Sequence, residues 1–353
     1  MPPAGIFPPF GKRKDKRMMG SASLAGLFLL VPPCQSDPMT ENNSDAIQSP
    51  NGTQATPWCF GTMQFGGRAS AAESARMYAA CRAAGINFFD TAHVYTDGMS
   101  ETLLGKFAGK EREELIIATK CAFDAENSRN SILKSFDESR TRLGMDSVEI
   151  LYLHRWSDVT PLEESLETLA QLRQQGKIRH IGVSNFSAWQ VMKARCIAEK
   201  LATSIRILQP MYNLVKRQAE VEILPMAKSE GFAVAAYSPL GGGLLTGKYG
   251  AGKTGRLVED KGYAARYQPE WMHRAANALA KLASDYGLAP ATLAVAWVAH
   301  NDAVTAPILS ARNAEQLAPS LAAMTLPLPP ELYQAISRLS PTPPPATDRL
   351  EEA

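Results

Sequence analysis

Ile86-Asn87-Phe88-Phe89-Asp90-Thr91-Ala92-His93-Val94-Tyr95 joins a short apolar run to a carboxylate and, five residues on, a phenol. The run, with its two aromatics, reads as a buried strand. Polar groups just past the carboxyl end of a buried strand are where α/β folds keep their chemistry. Taken alone, the stretch also fits a blander reading, in which Asp90 caps a helix or satisfies a turn and Tyr95 is half-buried packing. The rest of the chain decides between them.

On both sides a strand-then-helix rhythm repeats. The spacing predicts strands at 58–60, 86–89, 115–119, 148–153, 178–183, 205–208, 232–236 and 304–309. Ser70/Glu73, Thr160/Glu163 and Ser187/Gln190 have capping-box form, and Gly85, Gly144 and Gly176 are helix stops. Pro161 is expected at a first helical position. Parallel neighbours need crossover helices, and eight such units in about 260 residues fit a closed barrel better than an open sheet. The expected fold is therefore α/β, a (β/α)₈ TIM barrel. An extra helix near 269–286 lies between strands 7 and 8, and a C-terminal helix near 330–339 ends the domain.

Strands two to eight finish in Asp90, Lys120, His154, Asn185, Gln209, Tyr237 and Ser310. A barrel brings all seven to one face, the face where such enzymes work. Ordinary packing would need seven separate accidents of polar placement.

The domain is expected over 57–340, followed by a Pro-rich tail at 341–353, with 1–56 a disordered extension. Residues 39–56 are polar and rich in Asn, Ser and Thr. Lys12 to Arg17 precede the apolar run Leu24 to Val31, which resembles the start of a secretory leader. Eight apolar residues are too few to span a bilayer, and Pro32-Pro33-Cys34 is no small-residue cleavage site. An upstream extension, with Met39 as the more natural start, is the alternative.

Hydrophobic residues make up 45% of the chain and charged ones 20%, ordinary for a globular enzyme. The net charge of +2 comes from the first 38 residues; the remainder holds 32 basic and 33 acidic side chains. That balance gives no basic surplus for nucleic acid or an anionic membrane. Five widely spaced cysteines form no C-x-x-C pair, which favours a reducing, cytoplasmic setting, with export left open by 12–31. Oligomeric state is left open.

A phenol holds its proton firmly at neutral pH, and a neighbouring ammonium pulls its pKa down. Asp90 can keep Lys120 charged and aimed, and His154 can donate to a carbonyl oxygen. Together with Tyr95 they form a proton donor poised at an oxygen gaining negative charge, which suits carbonyl reduction. Lys120 as a Schiff-base lysine and His154 as a metal ligand remain open, although no tight His/Asp/Glu cluster accompanies His154. His93 fits a loop or packing role better.

The chain has no G-x-G-x-x-G, so a Rossmann site is unsupported. Gly242 to Lys248 nearly spells a P-loop, but Tyr249 stands where magnesium needs Ser or Thr. The glycine-rich loop can still approach a pyrophosphate through backbone N–H groups. Tyr237 can stack on a flat ring. Ser310-Ala311-Arg312 leads into a helix N-terminus, and the Arg312 fork suits the 2′-phosphate of NADPH.

Over roughly 57–340 the chain resembles the aldo-keto reductase superfamily. The matching motifs are Gly61-Thr62-Met63, Asp90-Thr91-Ala92 with Tyr95, Thr119-Lys120, Leu153-His154, Gly182 to Phe186, Gln209 to Asn213, Tyr237 to Leu240 continuing through Leu244 to Tyr249, and Ser310-Ala311-Arg312 with Gln316-Leu317. The Leu-Thr-Gly-Lys-Tyr loop with Gly255-Arg256-Leu257 and Tyr267 looks most like the branch of aflatoxin-aldehyde reductases and bacterial general-stress reductases. The resemblance implies an NADP(H)-dependent enzyme acting on a small-molecule carbonyl substrate, with no metal. Tyr95 would be the general acid, Lys120 would lower its pKa, Asp90 would pair with Lys120, and His154 would orient the carbonyl.

For the cofactor it implies Gly61, Thr62 and Met63 at the first strand end, with Ser184, Asn185 and Gln209 at the carboxamide. Tyr237 would lie on the nicotinamide, with Ser238, Leu240, Gly242 and Lys248 along the pyrophosphate. Ser310, Arg312 and Gln316 would take the 2′-phosphate end. The superfamily also contains channel-associated members, so a non-catalytic NADPH-binding subunit is the alternative. Three departures stand out. No hairpin closing the barrel bottom is recognisable before Pro57, Ser320 replaces the usual Asn at the adenine, and Ser310 stands where Gly is common.

Overall fold

In the computed structural model, which describes residues 46–123, 126–249 and 255–352, eight parallel strands close into a barrel in chain order. They are β1 (Cys59–Gly61), β2 (Phe88–Asp90), β3 (Ile116–Cys121), β4 (Val148–Leu153), β5 (Ile178–Ser184), β6 (Ile205–Gln209), β7 (Ala233–Ala236) and β8 (Ala306–Leu309). Closure comes from β8 returning to β1, with Cys59 opposite Ile308 and Phe60 opposite Leu309. No sheet edge is left open. The expected TIM barrel is the fold.

Helices α1 (Ala71–Ala83), α2 (Met99–Ala108), α3 (Arg129–Leu143), α4 (Leu162–Gln174), α5 (Ala188–Lys200) and α6 (Ile223–Glu230) make the first six crossings. Between β7 and β8 lie α7 (Arg256–Glu259), α8 (Lys261–Arg266), α9 (Glu270–Asp285) and α10 (Pro290–Ala299). The expected insertion is present, with two short helices ahead of the long one. After β8 come α11 (Ala314–Ala322) and α12 (Pro330–Ser337).

The capping boxes divide. Ser70 caps α1 through the Glu73 amide, and on α5 the Ser187 amide donates to Gln190 Oε1 at 2.9 Å while the Ser187 hydroxyl stays unpartnered. At α4 the box does not form: Pro161 is the cap residue and offers no side-chain bond. The Thr160 amide is instead held by Ser157 Oγ at 3.1 Å, so the helix starts one residue later.

Strand side chains alternate between two apolar layers, as the pleat requires. Cys59, Phe88, Ile150, Tyr152, Ile207 and Ile308 help fill the barrel, while Phe60, Phe89, Leu151, Ile181 and Leu208 face the helices. On β5 the inward position opposite Tyr152 is Gly182. A Cβ there would stand 2.4 Å from Tyr152 Cδ1, so the glycine gives the ring its space.

The barrel floor corrects one expectation. Residues 46–56 are not a loose arm, for they belong to the same compact unit as the other described residues. Gln48 pairs antiparallel with Gln54, the Ala55 amide bonds the Ile47 carbonyl at 2.9 Å, and Gly52 turns the chain at φ +90. Ile47 joins the barrel interior beside Phe88, Ile116 and Ile150. Asn87 fastens the hairpin from below, accepting from the Thr56 amide at 2.9 Å and donating to the Gln54 carbonyl at 2.9 Å. The missing closing hairpin is therefore this short one. The expectations for residues 1–45 fall outside the described residues.

Candidate functional site

The carboxyl ends of the strands meet on one face. Asp90 ends β2, Lys120 lies next to last in β3, and His154 follows β4. Ser184 ends β5, Gln209 ends β6, Tyr237 follows β7 and Ser310 follows β8.

Lys120 is 1% exposed, and its ammonium makes three hydrogen bonds. They reach Asp90 Oδ2 at 2.5 Å, the Thr91 carbonyl at 2.7 Å and the Tyr95 hydroxyl at 3.3 Å. A buried charge is tolerated only when paired and hydrogen-bonded. Burial works against the Lys120 charge, but Asp90 and Tyr95 outweigh it and hold the ammonium above its usual range. Lys120 is charged at neutral pH.

Tyr95 is half-buried, with its hydroxyl at the inner end against Lys120. Burial pushes its pKa up, and the Lys120 charge pulls it back only in part. A net downward shift was expected, and desolvation of the phenolate outweighs the ammonium. His154 meets Tyr95 edge-on, with ring centroids 5.9 Å apart. Burial first, then the charges of Lys120 and Arg155, push its imidazole down to about 3, so it is neutral. Nδ1 is buried with no partner. An orphaned buried N–H is rarer than an under-used acceptor, which puts the single proton on Nε2.

The loop presenting Tyr95 is held from outside the barrel. Thr96, Asp97 and Gly98 follow one another in left-handed conformations, at φ +48, +53 and +88. A Cβ on Gly98 would stand 2.5 Å from Arg142 Nε, so the guanidinium lies flat on this turn. Arg142 of α3 donates to the His93 carbonyl at 2.9 Å and to Glu101 Oε2 at 3.3 Å. Glu101 is fully buried and also accepts from Thr119 Oγ1 at 2.6 Å, beside Lys120. His93 Nε2 lies 2.7 Å from Glu138 on α3, which is the loop role expected of it. Glu101 and Arg142 were missed because helix periodicity was the only signal they gave.

On the opposite side, Asn185 and Ser238 have φ of +59 and +61, and Gly241, Gly242, Gly243 and Gly247 all lie at positive φ. Asn185 donates to the His154 carbonyl at 2.9 Å and accepts from the Tyr237 hydroxyl at 2.7 Å. Ser184 Oγ bonds the Gln209 carbonyl at 3.0 Å. Leu240 opens the glycine turn. A Cβ on Gly242 would approach Tyr263 Cδ1 to 2.9 Å, so α8 packs directly on this turn. Arg312 forks onto Glu259 at 2.7 and 3.3 Å, and Arg68 approaches the same carboxylate at 3.5 Å. Lys248 is close enough that Arg312 helps burial lower its pKa. Cations, a left-handed glycine turn and the N-terminus of α11, capped by Asn313, make a place suited to phosphate.

The sequence pattern of the Aldo/keto reductase family matches residues 57–341. The chain belongs to the aldo/keto reductase family. It is 32% identical to the uncharacterized oxidoreductase YrpG of Bacillus subtilis, over 83% of this chain and 94% of that one. It is also 32% identical to a probable voltage-gated potassium channel subunit beta of Oryza sativa, over 80% and 92%. Aflatoxin B1 aldehyde reductase member 2 of Rattus norvegicus is 32% identical over 87% and 90%.

Against the aldo/keto reductase pattern, several expected cofactor residues are engaged elsewhere. Gln209 donates through Nε2 to Asp90 Oδ1 at 2.9 Å, so one end of its amide braces the carboxylate that holds Lys120. Thr62 is fully buried and bonds the Asp90 carbonyl through N at 2.8 Å and Ser100 Oγ at 2.8 Å. Gly61 serves barrel closure, since a Cβ would lie 2.7 Å from Ile308 Cγ2. Met63 is exposed on the rim, with Sδ 3.9 Å from Arg256. Ser310 is half-buried, and Gln316 is exposed in the first turn of α11. Ser320 is fully buried with its hydroxyl unpartnered.

Among the described residues no group of His, Cys, Asp and Glu is arranged to hold a metal ion, and no helix is long and apolar enough to cross a membrane. A cavity of about 480 Å³ lies at the far end of the barrel, lined by Ile47, Phe88, Arg206 and Thr305. The chemistry-bearing side chains gather at the other end, so cavity size does not locate the site.

Proposed function

We propose that the chain is an NADPH-dependent reductase of aldehyde and ketone carbonyls, with Tyr95 as general acid. The observation that carries this reading is the single ammonium of Lys120 held between Asp90 and Tyr95, with neutral His154 edge-on to the phenol. A carbonyl oxygen placed before Tyr95 and His154 gains negative charge as its carbon is reduced. Tyr95 gives that oxygen its proton, Lys120 offsets the phenolate left behind, and Asp90 keeps Lys120 charged. His154 donates through Nε2–H and, being neutral, does not compete as an acid. General acid catalysis of this kind is worth about 10²–10⁴ in rate. Burial keeps the proton on Tyr95 at neutral pH, the form that the acid role needs.

Bound NADPH supplies the hydride. Ser184, Asn185 and the free end of the Gln209 amide would meet its carboxamide, and Tyr237 its ring. Ser238, Leu240, Gly242 and Lys248 would follow the pyrophosphate, with Met63 at the rim. Arg312, with Ser310 and Gln316, would take the 2′-phosphate; its fork already grips a carboxylate, the same anion geometry. The described cysteines are all free, and we place the protein in the cytoplasm.

Tyr95→Phe is the test. Aldehyde-dependent NADPH oxidation should fall about 100-fold or more while NADPH still quenches intrinsic fluorescence. Undiminished turnover removes Tyr95 from its role. The potassium-channel-subunit relative favours a second reading, a slow or non-catalytic NADPH-binding subunit. Binding without turnover across a panel of aldehydes, diketones and quinones would select it.

A further inference from the structure

The cavity on the barrel floor, about 480 Å³, falls in the size range of small-molecule sites, about 300–1,000 Å³. Its base is apolar. Ile47, Phe88, Ile207 and Ala306 come from the layer that fills the barrel, and Ala55 and Ala233 stand half-buried beside them.

Three charged side chains share the wall: Arg206 of β6, Lys228 of α6, and Asp302 between α10 and β8. Lys228 and Asp302 pair with each other. Arg206 meets no carboxylate among the described residues, and its guanidinium makes one long hydrogen bond, from Nη1 to the Gly231 carbonyl at 3.4 Å. Arg82, Arg112, Arg142, Arg217 and Arg312, by contrast, each meet a carboxylate. The wall is therefore left with one positive charge over.

Two strands connect this cavity to the catalytic end. Side chains two apart on a strand share a face, so Phe88 lies beneath Asp90 on β2 and Ile207 beneath Gln209 on β6, about 6.5 Å lower in each case. Asp90 and Gln209 are bonded at 2.9 Å, and Asp90 holds Lys120. A body pressed against Phe88 and Ile207 bears on the residues directly under that bond.

We propose that the floor cavity is an effector site for a small amphiphile with an apolar body and one carboxylate. The carboxylate closes on the Arg206 fork, a charge-assisted and bidentate pairing, and the body lies against Ile47, Ile207 and Ala233. A phosphate monoester carries about 1.5–2 negative charges at neutral pH and would leave much of one unmatched, so a carboxylate suits the single spare cation. Occupancy shifts the Asp90–Gln209 bond from below and so changes the rate of proton delivery from Tyr95. That last step rests on the reductase reading; the binding does not.

Titration calorimetry of the full chain, with octanoate as the probe, should show one site per chain whether or not NADPH is present. Octanamide has the same body without the charge and should bind about tenfold or more weakly. Arg206→Met should weaken octanoate by about ten- to hundredfold and leave octanamide unchanged, and Arg206→Lys should keep part of the preference. Ala233→Leu, which fills the cavity from its wall, should remove both ligands. In turnover, octanoate should change kcat while the KM for an aldehyde stays as it was. Equal affinity for octanoate and octanamide, or an octanoate affinity unchanged in Arg206→Met, overturns the site. Competition with the aldehyde places the acid at Tyr95 instead and also overturns it. Binding with kcat unchanged overturns the effector role. A chain that binds octanoate through Arg206 but reduces no carbonyl overturns the reductase reading and leaves the floor site standing.

Discussion

Asp90→Asn removes the charge that holds Lys120 while keeping the shape of the side chain. The two side chains are 4% and 1% exposed, with 2.5 Å between Oδ2 and Nζ. Breaking a buried pair from one side strands the other charge, at a cost of about 3–5 kcal/mol. Little of that comes from Gln209, whose Nε2 still finds an amide oxygen to meet at the Oδ1 position. At about 2–4 °C per kcal/mol, the apparent melting temperature should fall by about 6–20 °C, toward the low end for a chain this long. Lys120→Met strands Asp90 instead, whereas the double variant leaves no unpaired charge. The double should therefore lose at least about 2 kcal/mol less than the sum of the singles. The pH dependence gives a second check. Without Asp90, burial depresses the Lys120 pKa, so the unfolded chain binds more protons than the folded one and stability rises with pH. Thermal melts and denaturant titrations of the four proteins at neutral and alkaline pH make the measurement. Additive losses, within about 0.5 kcal/mol, refute the argument that this pair is what allows Lys120 to be buried.

Acidification should weaken the fold through His154. Its folded pKa of about 3 lies below the unfolded value, so the unfolded state takes up the proton first and stability drains away between about pH 6.5 and 3. At pH 4.5 that amounts to about 2–3 kcal/mol, and His154→Gln should melt with a correspondingly flatter acid limb. Arg142→Met should lower kcat about tenfold or more with little change in KM, because it frees the Tyr95 loop without touching substrate; an unaltered kcat removes the positioning role. Gly105→Ala should destabilise by about 1–3 kcal/mol or more despite better helix propensity, since the new Cβ would stand 2.2 Å from the Leu143 carbonyl oxygen. A raised denaturation midpoint would show that α2 and α3 can separate cheaply.

How much of this was legible follows from where each signal resides. Asp90, Lys120, His154 and Gln209 could be read because a barrel turns position along eight separate strands into one shared face. The floor hairpin could not. It is a few polar residues whose stability comes from Asn87 and from Ile47 reaching Phe88 and Ile150, contacts that leave no local period. Gln209 and Asp90 were both singled out, but their bond joins residues 119 apart in sequence, and spacing says nothing about such a contact. The direction of the Tyr95 shift failed for a similar reason. The ammonium neighbour was visible in the sequence, whereas the depth of burial that outweighs it was not.

Backbone strain adds a signal that sequence could not carry. Among the described residues seven non-glycine residues have positive φ; Ala122, Asn185 and Ser238 lie one or two residues past strand ends on the site face, and Thr96 and Asp97 follow Tyr95 in the loop after β2. Glycine would occupy those conformations without steric cost, so a side chain retained there offsets its own strain or serves another purpose. At Asn185 the purpose is visible: one amide ties the His154 carbonyl to the Tyr237 hydroxyl, coupling the imidazole side of the site to the proposed ring-stacking side. At Thr96 the hydroxyl reaches the Phe65 carbonyl at 2.8 Å and fixes the turn that presents Tyr95. The strained residues thus mark where the loops must be rigid, in the segments that follow the strand ends the sequence made legible.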